Sequence, residues 1–272
     1  MKTDKYIKEK VIWITGGTEG IGLHLAKECV ELGATVVVSA RNESKFKTAT
    51  RVFQDSKVNF EKLDVTLPEM VNKSAAHLID KFGHIDHLYN CAGMALPGYL
   101  HEQSLEDARQ MMELNYFGTV NCVKAVLPHM LERSSGHILN VSSMAGYLGL
   151  FGYTNYCASK FAVMGFSWAL RNEVKPSGVK VSVLCPPNTL TPGFEKENLI
   201  KPKEVLDLES KAKLMSPEEI AKVTLKELSR GKSTILPNLE SSLALKLSHY
   251  TPWLLDYLLR RPASAAQKER SL

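Results

Sequence analysis

The chain has 272 residues, 44% of them apolar and 23% charged, with a formal net charge of +5. That composition supports a packed core, excludes an intrinsically disordered chain, and suits one large domain or two small ones. The positive balance reads as a lysine-rich solvated surface or as attraction to anionic membranes and phosphate ligands. No basic run interleaved with aromatics suggests nucleic-acid binding. The five cysteines (Cys29, Cys91, Cys122, Cys157 and Cys185) form no CxxC pair and no His/Cys cluster with metal-ligand spacing. Reduced buried thiols are therefore expected, and no metal site. Residues 1–10 are polar and lack a signal-peptide core, and no run nears the ~20 apolar residues of a membrane span. Together these features predict a reducing, cytoplasmic location.

In chain order, residues 11–14 (Val-Ile-Trp-Ile) read as a buried strand. It ends in Thr15-Gly16-Gly17-Thr18-Glu19-Gly20-Ile21-Gly22, which opens a helical pattern through Leu32. Gly33-Ala34 breaks the helix, and residues 35–39 form a second strand. Another helix follows, then a strand near 58–63, a helix at about 68–82, and a short strand at 87–89 ending in Asn90-Cys91-Ala92-Gly93. One long helix is expected over roughly 104–132, a strand at 137–141, a helix carrying Tyr156 and Lys160 to about Lys175, and a strand at 179–184. Strands buried on both faces and alternating with helices predict an α/β fold. Its form is a Rossmann-type, doubly wound parallel sheet of about seven strands with helices on both faces. With no internal repeat and no low-complexity linker, residues 1–272 read as a single domain.

After Pro186 the rhythm changes. Pro187, Pro192 and Pro202 punctuate a polar segment, residues 188–215, and a loop of that length predicts a lid or binding loop. Ser216-Pro217-Glu218-Glu219 is a helix start, with Ser as N-cap, Pro at N1 and acids in the first turn. Residues 233–236 suit a last strand. Residues 241–261 are apolar and tipped with Tyr250, Trp253 and Tyr257, closed by Arg260-Arg261 and interrupted by Pro252, so two short pieces are expected rather than one rod. They read as a packing helix, or as an interfacial one with the aromatics at headgroup depth and the arginines on anionic lipid.

The chemistry gathers at strand ends. Glycines at 16, 20 and 22 straight after the first strand let backbone approach a pyrophosphate, with the free N–H groups of a helix N-terminus behind them. The second strand ends Ser39-Ala40-Arg41-Asn42, with no acid for a ribose 2′-hydroxyl and with Arg41 placed for a 2′-phosphate. That predicts NADPH, although Glu19 lies in the same loop. Asp64, after the third strand, fits the adenine amino group or a turn cap. Tyr156 and Lys160 stand one helical turn apart, with Ser143 thirteen residues upstream of Tyr156. A free tyrosine titrates near pH ~10, and a fixed ammonium one turn away favours the phenolate.

These residues resemble the short-chain dehydrogenase/reductase family. Thr15-Gly16-(three residues)-Gly20-Ile21-Gly22 matches its cofactor motif, and Asn90-Cys91-Ala92-Gly93 resembles its Asn-Asn-Ala-Gly, with Cys91 replacing an asparagine. Asn115, Ser143, Tyr156 and Lys160 match its catalytic tetrad. The resemblance implies that Tyr156 is the general acid, that Lys160 lowers its pKa and binds the nicotinamide ribose, and that Ser143 orients the substrate carbonyl. Asn115 then helps hold a water linking Lys160 to solvent. It also implies a nucleotide surface that includes Thr18, Ile21, Val65, Asn90, Ala92, Gly93, Pro186, Thr189 and Thr191. A homodimer or homotetramer is implied as well. The family's Pro-Gly after the sixth strand is here Pro186-Pro187.

The run Pro186-Pro187-Asn188-Thr189-Leu190-Thr191-Pro192-Gly193-Phe194, followed by Glu197-Asn198 and Lys201-Pro202, is similar to the substrate-loop signature of the 3-ketodihydrosphingosine reductases, with Asn188 replacing an Asp. This implies reduction of 3-ketosphinganine to sphinganine in sphingolipid biosynthesis, a lipid-like substrate, and peripheral contact with the cytoplasmic face of a membrane. The alternatives are another carbonyl substrate, such as a 3-oxoacyl thioester or a steroid, and a non-catalytic nucleotide-sensing protein on the same fold. Glu195 and Glu197 read first as exposed loop acids, and secondly as partners of a substrate ammonium.

Overall fold

Seven short runs carrying β-branched or aromatic residues pair side by side in the computed structural model, which describes residues 2–49, 53, 58–210, 212–255 and 257. They are β1 (Val11–Thr15), β2 (Thr35–Ala40), β3 (Val58–Lys62), β4 (His87–Asn90), β5 (Gly136–Val141), β6 (Val179–Leu184) and β7 (Thr234–Ile235). All pairings are parallel, in the order β3-β2-β1-β4-β5-β6-β7. Every residue of β1 is buried, as a strand covered on both faces requires. The order reverses between β1 and β4, and a doubly wound sheet opens a crevice at such a point, beyond the carboxyl ends of its strands.

The helices are α1 (Lys2–Ile7), α2 (Gly20–Glu31), α3 (Glu43–Ala49), α4 (Pro68–Phe82), α5 (Leu105–Met112), α6 (Gly118–Glu132), α7 (Thr154–Val174), α8 (Pro192–Asn198), α9 (Lys203–Glu209), α10 (Pro217–Ser229) and α11 (Leu239–Tyr250). Leu25, Ala26 and Cys29 of α2 pack with Ile220, Leu225 and Leu228 of α10 over one face of the sheet. Val71 and Leu78 of α4, Val123 and Val126 of α6, and Leu170 and Val174 of α7 cover the other. Ser216 caps α10 in a reciprocal box with Glu219, as its sequence predicts.

Two elements differ from the sequence expectation. The single helix expected over 104–132 is divided by a π-helical turn at Glu113–Phe117. One extra residue in a turn re-aims the side chains within it, and here it carries Asn115 into the interior. The 188–215 segment is not structureless, since Thr191 caps α8 through Phe194 N–H and α9 follows Pro202. Its two ends are clasped by a parallel bridge between Thr189 and Met215, in which Leu190 N–H donates to Met215 O (3.0 Å) and Met215 N–H to Asn188 O (3.1 Å).

Beyond α11, Pro252 starts a separate helical turn, as expected, while Arg260-Arg261 lie outside the described residues. Ala244, Leu245 and Leu255 pack on Tyr147, Leu148 and Met164, and the Tyr147 hydroxyl donates to Ser241 O at 3.1 Å.

At the end of the sheet away from the crevice, His87 and His137 are register partners on β4 and β5. The Tyr6 hydroxyl from α1 bonds His137 Nδ1, and His137 Nε2 meets Ser182 Oγ at 2.8 Å. His87 Nδ1 meets the Tyr89 hydroxyl at 3.0 Å. Burial holds both imidazoles neutral, with the His87 pKa down to about 3 and that of His137 well below its ordinary value. In the unfolded chain both accept a proton near pH ~6.5. The stability they contribute is therefore complete above that pH and is lost as pH falls toward 3. Unfolding free energy is expected to drop by roughly 1.4 kcal/mol per pH unit per histidine below pH ~6. Thermal unfolding between pH 7.5 and 4.5 checks this, and a His87→Gln variant with an unchanged pH slope refutes it.

Candidate active site

The carboxyl ends of β1, β2, β4, β5 and β6 open into a cleft of ≈ 770 Å³. Its floor is made by close backbone approach. Gly16, at φ +65°, leaves so little room that an added Cβ would stand 2.7 Å from Ala92 Cα. A Cβ on Gly22 would lie 2.4 Å from Gly16 O. Side chains here would push the β1 turn, the β4 end and the start of α2 apart. Glu19, the N-cap residue of α2, makes no side-chain cap, so the helix-end N–H groups stay directed at the cleft. Thr18, Gly20 and Ile21 complete this rim.

At the β2 end Arg41 is 71% exposed, with one guanidinium nitrogen 4.0 Å from Asp64 Oδ2. Asp64 Oδ1 accepts from the Thr66 N–H (3.0 Å) and hydroxyl (2.7 Å), so one carboxylate oxygen caps a turn while the other faces the cleft mouth. Lys45 of α3 lines the same mouth, which the sequence reading missed. Its ammonium lies 2.7 Å from Glu19 Oε2 and neutralises the acid that complicated the cofactor expectation. The available signal was spacing, because Lys45 follows Arg41 by about one helical turn on a segment that must return over the crevice. Val65, Ala92, Gly93 and Pro186 line the walls. Asn90 donates to Asn140 Oδ1 at 2.9 Å, and its own Oδ1 is buried without a partner among the described residues. Thr191 lines the cleft, whereas the Thr189 hydroxyl is turned to Pro187 O (2.7 Å) at the base of the 188–215 segment.

Tyr156 and Lys160 enter from α7. Lys160 Nζ donates to Val141 O at 3.0 Å and stands 5.7 Å from the Tyr156 ring centre. Gly93 makes space for it, since a Cβ there would lie 3.3 Å from Nζ. Burial holds the Lys160 pKa down to about 8. The Cys91 and Cys185 thiols beside it are pushed up to about 12 by their own burial and stay neutral. Burial also raises the Tyr156 phenol, Glu197 adds to this, and a hydrogen bond with Ser143 opposes it. Desolvation is the largest influence on the phenol in this cleft.

Two adjacent serines divide their work. Ser142 is buried and donates to Lys160 O at 2.9 Å. Ser143 accepts from Ala145 N–H at 3.1 Å and meets the Tyr156 phenol. Asn115 is spent on position, because its Oδ1 accepts from Met94 N–H (2.8 Å) and its Nδ2 donates to Met94 O (2.9 Å) and Ser159 Oγ (2.9 Å).

The acids of α8 separate. Glu195 is exposed, but Glu197 lines the cleft, and burial raises its pKa to about 7. The reading of Glu197 as an exposed loop acid is therefore corrected. The Tyr153 hydroxyl donates to Glu209 Oε1 (3.1 Å) and Glu197 Oε2 (3.4 Å). Lys201, with a fully buried side chain, donates to Glu209 Oε2 (2.5 Å) and Asn198 Oδ1 (2.7 Å), and sits 3.8 Å over the Phe194 ring. A second groove of ≈ 730 Å³ runs between residues 96–107 and α9 and meets the cleft at Leu96 and Ile200.

A parallel crevice of this kind, with a glycine turn at β1 and a Ser/Tyr/Lys group at its far end, defines a nucleotide-dependent oxidoreductase fold. The chain belongs to the short chain dehydrogenase family, whose model matches residues 10–200. It is 39% identical over 231 residues to the 3-dehydrosphinganine reductase of Danio rerio, spanning 81% of this chain and 69% of that protein. It is 36% identical to the 3-ketodihydrosphingosine reductase of Dictyostelium discoideum, spanning 92% of this chain and 81% of that one. Among solved structures, ElxO with NADP bound superposes with a TM-score of 0.75 at 30% identity, covering 84% of this chain and 96% of that chain.

Asn115→Ala removes three hydrogen bonds and strands the Met94 N–H and C=O. It is expected to cost about 2–4 kcal/mol of stability, measured by chemical denaturation. A loss under ~0.5 kcal/mol contradicts the positioning role.

Proposed function

We propose that this chain is an NADPH-dependent ketoreductase that converts 3-ketosphinganine to sphinganine. The observation that carries the reading is the grouping of the Tyr156 phenol, with Ser143 beside it, and the buried Lys160 ammonium at the end of a cleft whose mouth holds Arg41 and Lys45. The names and extent of the relatives support the substrate class, since the match continues past the nucleotide half into the 188–215 segment.

The residues fit the nucleotide. The glycine turn admits a pyrophosphate, Asp64 and Val65 flank the adenine end, and Arg41 with Lys45 offers two cations to a 2′-phosphate. Asn90, Ala92, Gly93, Pro186 and Thr191 enclose the nicotinamide end, and Thr189 holds the loop that carries Thr191. When bound, NADPH supplies a hydride to the carbonyl carbon. Negative charge then grows on the carbonyl oxygen, and Tyr156 donates its proton there while the Ser143 hydroxyl hydrogen-bonds the same atom. The raised pKa keeps that proton on the phenol at neutral pH, ready to give. The Lys160 ammonium offsets the phenolate left behind and, with the nucleotide bound, would hold its nicotinamide ribose. Asn115 fixes Met94 and the Gly93 turn against Lys160, and supports the water path by which Tyr156 regains its proton.

A lipid-like ketone reaches this site from a membrane surface. Among the described residues no helix is long and apolar enough to cross a membrane. Leu239, Leu243, Tyr250 and Trp253 nevertheless stand exposed on α11 and the turn after it, Tyr250 at 83% and Trp253 at 71%. Their face suits peripheral attachment at the headgroup boundary of a cytoplasmic membrane leaflet.

Three measurements test the proposal. Tyr156→Phe is expected to lower kcat by about 10²–10⁴-fold with NADPH affinity retained, and undiminished turnover removes the assignment. Arg41→Ala combined with Lys45→Ala is expected to cut the NADPH-over-NADH preference in kcat/KM by about tenfold or more, and an unchanged ratio contradicts the 2′-phosphate site. In flotation with anionic liposomes, Tyr250→Ser with Trp253→Ser is expected to leave the lipid fraction, and equal flotation of this variant and the parent excludes the face.

A further inference from the structure

The charges behind Tyr156 do not balance. Glu197, Glu209 and Lys201 form one cluster joined through the Tyr153 hydroxyl, with two carboxylates to a single ammonium. Lys201 is already spent on Glu209, Asn198 and the Phe194 ring. Among the described residues Glu197 Oε1 accepts no hydrogen bond, and Oε2 receives only the long contact from Tyr153. The other cations near it are committed elsewhere or face water. Lys160 donates to Val141 O, and Lys196 is solvent-exposed where it lines the cleft. Glu197 nonetheless lines the cleft beside Tyr156 and Lys160, and its field is felt by both. Burial keeps the Glu197 carboxyl pKa raised even with Lys201 and Lys160 nearby, and a positively charged ligand entering the cleft offsets that remaining cost.

A ketone with an ammonium on the adjacent carbon places that charge two bonds from the carbonyl carbon that Tyr156 and Ser143 address. We infer that Glu197 selects for such an amino ketone, its carboxylate pairing with the substrate ammonium while Tyr156 and Ser143 hold the carbonyl oxygen. The Tyr153–Glu209–Lys201 group orients Glu197 from behind and keeps it from folding onto Lys201. The inference rests on the ketone-reductase reading above and adds which group the enzyme recognises beside the carbonyl. The groove between residues 96–107 and α9 leaves the cleft at Leu96 and Ile200, and offers the path for the alkyl chain.

The test compares 3-ketosphinganine with its analogue bearing hydrogen in place of the amino group, both in the same detergent micelles with NADPH and the full chain. The parent is expected to favour the amine in kcat/KM by about 10- to 100-fold, the range of a lost charge-assisted hydrogen bond. Glu197→Gln is expected to bring the ratio close to one, mainly through KM for the amine. Glu197→Asp is expected to keep part of the preference, and Glu195→Gln to leave it whole. A parent with no preference overturns the inference alone, as does a Glu197→Gln variant that loses both substrates in equal proportion. A parent that reduces neither ketone overturns the ketone-reductase reading along with it. If Glu197→Gln fails to bind NADPH, Tyr153→Phe carries the same comparison. It is expected to lower the ratio several-fold, and an unchanged ratio refutes the inference.

Discussion

An ammonium buried against the end of β5 sets the terms for everything around it. Removing Lys160 from water costs several kcal/mol unless its neighbours are arranged for it. One hydrogen bond goes to Val141 O, and the rest of the enclosure follows from what may stand nearby. Gly93 gives up its side chain, and Cys91 and Cys185 supply sulfur atoms that stay neutral because they too are buried. Ser142 holds the turn of α7 that carries the lysine, which leaves Ser143 to face the phenol. Asn115 reaches this arrangement only because a π-helical turn rotates it inward. The replacement of a second asparagine by Cys91 is accommodated because a neutral thiol packs beside the ammonium without adding charge.

Much of the frame was legible from pattern. Apolar runs ending in glycine or asparagine placed the strands within a residue or so of their ends, and the Ser216 box marked the start of α10. The Tyr156–Lys160 spacing placed both side chains in the cleft together because helical geometry carries one over the other. The rest depended on tertiary context. The π-turn has no local signature, because a helix with one extra residue per turn reads as ordinary helix until something packs against it. Lys45 looked like any surface lysine, and its relation to Glu19 arises only when α3 folds back over the glycine turn. Glu195 and Glu197 are alike in sequence, and only the roll of α8 sends one to water and the other into the cleft.

The two ends of the sheet follow opposite electrical rules. At the carboxyl end, charge is admitted and left partly uncompensated: Lys160 and Glu197 both carry pKa values displaced toward neutrality. At the amino end, His87, His137, Tyr6 and Tyr89 satisfy one another as neutral groups, sealed by α1. One end is organised for binding and reaction, the other for holding the strands in register.

The clasp between Thr189 and Met215 brings the two ends of the 188–215 segment to adjacent points. Because the ends are fixed to each other, the entropy of closing the intervening chain changes only slowly with its length. Residues can be inserted, removed or exchanged between the clasped positions without pulling on β6 or α10. The clasped segment can thus change in length and sequence with little effect on the glycine turn. In this fold, some two dozen residues beside the cleft hang from a single hinge point and can be rewritten while the sheet beneath stays as it is.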